Sequence, residues 1–281
     1  MSSVLQERPL APHWQKNLFS EEGCVMAEEQ AQVPRAAILR PQEPEGQRVL
    51  VGMAHPDDGE FNCGGTIARW ARSGKEIYYC VVTDGNSGSS DPTMTPERLV
   101  ALRHEEHKAA ARTLGAREAI FLHYQDGLLE PTLELRRDIA RLIRRLRPDA
   151  VICQDPTLRW SGQHYINHPD HRAAGEATLA AIMPAASTRL IFPELLAEGL
   201  EPHHVREIFI ASGEHAETWV DITTTMETKI AALQQHKSQL NDWDPTEMLR
   251  EWGRSAARQA RAAGVAITEY AEGFKYVRLE D

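Results

Sequence analysis

Five short apolar runs, Val49–Met53, Ile77–Val82, Ala119–Leu122, Ala150–Cys153 and Ile208–Ala211, constrain this chain more than any other feature. Each is nearly continuous in apolar residues, the pattern of a strand covered on both faces. Between most of them lie amphipathic stretches, Gly65–Arg72, Pro96–Leu114, Pro131–Leu146 and His171–Ile182. This alternation predicts an α/β, Rossmann-like, mostly parallel sheet with helices on both faces. Pro96 and Pro131 fit first helical turns, Thr95 fits a cap for the first, and Gly115 falls where that helix should end. After Ile222, Thr223–Leu240 and Thr246–Ala263 read as two helices and Ile267–Val277 as extended, giving a helical C-terminal portion.

The pattern begins at Arg48. Residues 1–46 contain Pro, Gln and Glu without sustained periodicity and read as a poorly structured N-terminal extension, leaving 47–281 as a single α/β domain. A hydrophobic content of 42% is ordinary for a globular core, and no run reaches the roughly 18–20 apolar residues needed to span a bilayer. The N-terminus is polar and acidic, unlike a secretory leader, and the four cysteines (Cys24, Cys63, Cys80, Cys153) form no CxxC pair. A reduced, cytoplasmic setting is expected, with Cys80 and Cys153 as buried thiols. The net charge of -10 argues against nucleic acid or an anionic membrane as the main partner. The arginines between Arg136 and Arg147 oppose the apolar residues Leu133, Ile139, Leu142, Ile143 and Leu146, and read as a solvated helix face. A homo-oligomer is left open.

Chemistry concentrates in two stretches. Ala54-His55-Pro56-Asp57-Asp58 directly follows the first apolar run, and His168-Pro169-Asp170-His171 follows the fourth after a polar loop. In an open parallel sheet ligands collect beyond the carboxyl ends of the strands, so both fall where a site forms. Together they supply imidazoles and carboxylates enough for a catalytic zinc site with an open coordination position. Pro56 disfavours helix at His55, and the resulting turn can send adjacent Asp57 and Asp58 in different directions. Each stretch also has a plain reading: Asp57 or Asp58 capping a helix, or His168 or Asp170 capping one with His171 on the surface. His104-Glu105-Glu106-His107 has its histidines three apart where a zinc-protease helix needs four, and reads as an exposed helix segment. Cys63 reads as a small packing residue in the Cys63-Gly64-Gly65 turn.

These residues resemble a family. The paired motifs, with Cys63-Gly64-Gly65-Thr66, Thr83-Asp84-Gly85, Arg103-x-x-Glu106, Asp126-Gly127 and His236-x-Ser238-Gln239, are similar to those of the PIG-L/LmbE-like zinc-dependent N-deacetylases. The resemblance runs from about residue 47 to near the C-terminus and leaves residues 1–46 uncovered. It implies that His55, Asp58 and His171 ligate Zn2+, although such a donor set also accepts other divalent metals. It further implies that Asp57 is the general base and that His168 stands near the scissile carbonyl, oriented by Asp170; protonated, His168 can stabilise the oxyanion and donate a proton to the leaving amine. Arg103 would reach the substrate pocket, the alternative being a surface ion pair with Glu106. Gly59 stands where many members carry Glu, which puts the local hydrogen bonding in doubt. The implied reaction is removal of an N-acetyl group from an N-acetylglucosamine-type sugar or glycoside, which makes Asp126, after the third run, a candidate for hydrogen bonding sugar hydroxyls and Trp160, Tyr165 and Trp243 candidates for stacking on a sugar, with ordinary packing the alternative for each aromatic. Hydrolysis of another amide, or non-catalytic sugar binding on the same fold, are the alternatives.

Overall fold

The structure, a computed structural model, describes residues 42–280 apart from 162, 164 and 214. Most of the expected extension therefore lies outside the described residues. Its last residues are bound to the domain: Trp70 Nε1 donates to the Gln42 carbonyl at 2.8 Å, and Lys75 Nζ donates to the carbonyls of Pro44 and Gly46, each at 2.8 Å. The folded region thus starts earlier than residue 47.

All five apolar runs are strands: β1 (Arg48–Met53), β2 (Glu76–Thr83), β3 (Glu118–Tyr124), β4 (Ala150–Gln154) and, after a two-stranded hairpin of β5 (Trp160–Ser161) and β6 (Tyr165–Ile166), β7 (Glu207–Ala211). With β8 (Thr218–Asp221) and β9 (Ala271–Arg278) they form a seven-stranded sheet in the order β3-β2-β1-β4-β7-β9-β8. The first five in that order are parallel, and β9 runs antiparallel to both β7 and β8. β8 was not expected, because four residues carry too little periodicity to stand out.

Helices cover both faces, as the strand composition requires. Val49, Val51 and Met53 pack in one core with residues of α1 (Asp58–Arg72), α2 (Pro96–Leu114) and, later in the chain, α6 (Met226–Leu233). Leu50, Cys80, Val82 and Cys153 pack in the other with α3 (Leu133–Leu146) and α4 (Pro169–Ala180). A short α5 (Glu194–Ala197) precedes β7, and α7 (Lys237–Leu240) and α8 (Thr246–Ala262) complete the C-terminal portion. The stretch Thr223–Leu240 is thus two helices rather than one. Thr95 caps α2, its hydroxyl accepting from the Arg98 N–H, and Gly115 ends that helix at φ 84°. Pro131 lies just before the cap of α3, which is Thr132. The arginine face of α3 is not wholly solvated: Arg144 is buried and donates to the carbonyls of Ala185, Thr188 and Ile191 at 2.9–3.0 Å.

Helix α1 starts at Asp58 rather than Gly65, but it breaks at Cys63, whose φ is -146°. The break frees backbone N–H groups in mid-helix. Glu272, buried in β9, accepts from the Gly65 and Thr66 N–H groups at 3.0 and 2.7 Å and is paired with Lys229. A carboxylate thus caps the second segment, as one would at a true N-terminus. A Cβ at Gly65 would lie 2.7 Å from Ile222, so only glycine fits.

The strand order places the topological switch between β1 and β4, since the chain moves outward from β1 to β3 and returns to β4 on the other side. The loops leaving β1 and β4 therefore flank one crevice. Among the described residues, no helix is long and apolar enough to cross a membrane.

Candidate active site

The turn after β1 sets the first half of the site. The His55 N–H donates to Asp58 Oδ2 at 2.7 Å, and the Asp58 N–H reaches back to the His55 carbonyl at 3.3 Å. Asp57, between them, is forced to φ 106°, a conformation that costs a non-glycine residue on the order of 1–3 kcal/mol. Its side chain makes no capping bond to α1. The plain reading of Asp57 as a helix cap therefore fails.

The second half comes from the segment between β4 and α4. His55 Nδ1 lies 3.2 Å from His171 Nε2 and 3.2 Å from Asp58 Oδ2, while His171 Nε2 lies 3.1 Å from Asp58 Oδ1. Ligands about 2.0–2.1 Å from a tetrahedral ion stand about 3.3 Å from one another. His55 and Asp58, three residues apart, and His171, more than a hundred residues further on, thus bring two ring nitrogens and the Asp58 carboxylate together at about the spacing of a metal's coordination shell. His168 is close as well, its ring 4.7 Å from that of His55 and a ring nitrogen within 4.8 Å of those of His55 and His171. It is a weaker ligand candidate than Asp58, because its Nδ1 accepts the Asp170 backbone N–H at 3.2 Å. That bond is the expected helix cap, yet it leaves Nε2 as the ring nitrogen that carries hydrogen.

The remaining groups hold these side chains in place, and several differ from expectation. Asp170 is completely buried, and its carboxylate accepts from the Gly127 and Leu129 N–H groups at 2.7 and 3.2 Å. It faces His55 Nε2 at 3.2 Å and not His168, whose Nδ1 stands 3.8 Å away. Asp126 was expected to face sugar hydroxyls; its carboxylate also lies against His55 Nε2, at 3.2 Å, and accepts from the Ser87 N–H. His55 thus presents Nδ1 to the centre while carboxylates fix the other nitrogen, the usual support of a metal-bound imidazole. Without a metal, burial alone would lower the His55 pKa, but Asp58, Asp126 and Asp170 together push it up to about 12. Burial raises the Asp58 carboxyl, and the two histidines outweigh it, holding it well below the usual carboxylate range.

Arg103 was expected at the substrate or in a surface pair with Glu106. It is 4% exposed, and it donates to the Pro56 carbonyl at 2.6 Å, to Asp57 Oδ2 at 3.1 Å and to the Gly85 carbonyl at 3.0 Å. Glu106 instead accepts from the Ser238 N–H and hydroxyl at 2.8 and 2.7 Å. Asp57 is the half-buried carboxylate beside the centre; burial lifts its pKa to about 6, with the Arg103 cation opposing and Asp58 reinforcing.

His104-Glu105-Glu106-His107 is not an exposed segment. His107 is fully buried with Glu60 and His236, while His104 turns to Asp84. The Tyr79 hydroxyl donates to Glu60 at 3.2 Å, and a Cβ at position 59 would lie 1.6 Å from that hydroxyl. The glycine in place of glutamate is therefore matched to Tyr79. Two supporting residues escaped the sequence reading. Gln154 ends β4, donating to Asp58 Oδ2 at 3.1 Å and accepting from the Ala54 N–H at 3.0 Å; Asn167 Oδ1 lies 3.1 Å from His171 Nδ1. The only local signal was position: a polar residue ending a buried strand, and an amide directly before His168.

Comparison with known proteins agrees with this architecture. The model of the GlcNAc-PI de-N-acetylase (PIG-L) family matches residues 50–182. A diacetylchitobiose deacetylase of Thermococcus kodakarensis is 33% identical over 232 residues, 82% of this chain and 83% of that protein. The structure of the N,N'-diacetylchitobiose deacetylase from Pyrococcus horikoshii superposes with a TM-score of 0.74 at 30% identity, covering 83% of this chain and 85% of that one. A 4-carboxy-2-hydroxymuconate hydratase from Pseudomonas putida KT2440 shares the fold with a TM-score of 0.67 at 23% identity, covering 84% and 98% of the two chains. With the sequence motifs, the strand order and these relatives in agreement, the chain belongs to the PIG-L family.

Proposed function

We propose that the protein is a zinc-dependent hydrolase that removes the acetyl group from an N-acetylglucosamine-type sugar or glycoside. The observation that carries this reading is the meeting of His55, Asp58 and His171 within 3.2 Å of one another, with Asp57 beside them and free of any capping role. The deacetylase names of the 30–33% identical relatives supply the substrate class. The fold alone does not, because a hydratase shares it.

His55, Asp58 and His171 would hold the ion, which when bound activates water near neutral pH and polarises the acetyl carbonyl. Asp57 accepts the proton of the attacking water at its carboxylate, which Arg103 keeps aimed. His168, with hydrogen on Nε2, donates a hydrogen bond to the developing oxyanion. The departing amine needs a proton, and Asp57, having just received one, delivers it. His168 thus serves as a neutral hydrogen-bond donor rather than as the general acid. Burial, and then His55, lower its pKa, which suits that form. Trp160 and Tyr165 expose their rings on the hairpin just before Asn167, a fitting place to stack on a sugar face.

The strained backbone at Asp57, with its carboxylate free of a capping role, favours a catalytic use over non-catalytic sugar binding. Acetate release from a panel of N-acetylglucosamine glycosides, with and without chelator, tests the proposal. Release that stops with chelator and returns with Zn2+ is expected; no release from any member with zinc bound rejects it.

A further inference from the structure

Asp84, His104 and His123 form a second group of metal-type ligands that the chemistry above does not use. One donor atom from each lies within 4.8 Å of the other two, and Asp84 Oδ1 stands 2.9 Å from both His104 Nε2 and His123 Nδ1. Three elements bring them together: Asp84 directly follows β2, His104 lies on α2, and His123 lies in β3.

Each ring is held for the purpose. His104 lies flat against Phe121, ring centroids 3.9 Å apart and planes 25° from parallel. His123 has φ 62°, next to a register shift in the β2–β3 pairing between Val81 and Thr83. Such irregularities re-aim side chains, and histidine is one of the few non-glycine residues enriched at positive φ. Here the result is that the His123 ring meets the same carboxylate oxygen as His104. The group is open to solvent, with side-chain exposures of 17% for Asp84, 14% for His104 and 63% for His123, so an ion has an entry path and room for water ligands. The donor set, two imidazoles and a carboxylate, suits zinc and its transition-metal neighbours rather than magnesium or calcium.

We propose that Asp84, His104 and His123 bind a second divalent transition-metal ion of the zinc type, completed by solvent. Its ligands adjoin the groups that aim the catalytic carboxylate. Gly85, next to Asp84, accepts from Arg103, and Arg103, next to His104, donates to Asp57. An ion there pins both chain neighbours of that clamp.

The test titrates metal-stripped full-length protein with Zn2+ against a chromophoric chelator. It is run beside a His104→Gln/His123→Asn variant, asparagine being tolerant of positive φ, and an Asp58→Ala/His171→Ala variant, with thermal melts to confirm folding. The wild type is expected to take up a second equivalent. The His104→Gln/His123→Asn variant loses that equivalent and keeps the first, whereas the Asp58→Ala/His171→Ala variant keeps the second. A single equivalent in the wild type, or a second that persists without His104 and His123, overturns the assignment.

Discussion

Arg103 holds Asp57 from below: the same Nη2 that donates to Asp57 Oδ2 at 3.1 Å also donates to the Pro56 carbonyl at 2.6 Å. A lysine ammonium is a point charge and cannot reproduce that fork together with the bond to Gly85. Arg103→Lys is therefore expected to lower kcat by about 10²-fold, the cost of displacing a reacting group by about 1 Å. KM and metal content stay near wild type. Steady-state kinetics with metal analysis checks this, and a loss confined to KM would return Arg103 to direct substrate contact.

Asp57 carries opposite demands of activity and stability. Asp57→Asn should reduce kcat by about 10²–10⁴-fold, the usual contribution of a general base, with metal retained; loss of metal would make Asp57 a ligand. Because Asp57 sits at φ 106°, Asp57→Gly should unfold later in denaturant than Asp57→Ala, by roughly 1 kcal/mol. Equal stabilities would show that the backbone there is unstrained.

The pH profile should follow the same carboxyl. Asp57 acts as a base only when ionised, and burial raises its pKa to about 6 without metal. An adjacent dication favours the anion and moves that value down. Hence kcat/KM should rise with pH through a limb at or below about 6 and then level off. An acid limb well above that point would assign the base elsewhere.

Supporting residues should be felt in metal affinity. Asn167→Ala releases His171 Nδ1 and Asp170→Asn alters the partner of His55 Nε2. Each is expected to weaken Zn2+ binding by about 10–100-fold, measured by competition titration. Unchanged affinity in both would remove His55 and His171 from the ligand set.

Beneath the site, Lys229 and Glu272 form a buried pair, with side-chain exposures of 5% and 4%. Lys229→Met leaves the carboxylate alone and should cost about 3–5 kcal/mol in denaturant unfolding. The double change Lys229→Met/Glu272→Gln should recover part of that loss. A single substitution costing nothing would mean Glu272 is satisfied by the Gly65 and Thr66 N–H groups alone.

What the sequence determined by itself was whatever repeats or adjoins along the chain. The β1, β2, β3, β4 and β7 strands were legible because strands covered on both faces are apolar throughout, and the helices because their apolar residues recur at helical spacing. The ligand inventory was legible because turn residues and imidazoles crowd the ends of two strands. What only the tertiary structure decided was which distant groups meet. Asp170 and Asp126 serve His55, Arg103 is buried on Asp57, His107 lies in the core, and Glu272 caps a helix more than two hundred residues away. None of these leaves a local trace, since a buried polar side chain is set by the partner that offsets its desolvation, and that partner arrives only when the sheet brings separated strand ends together.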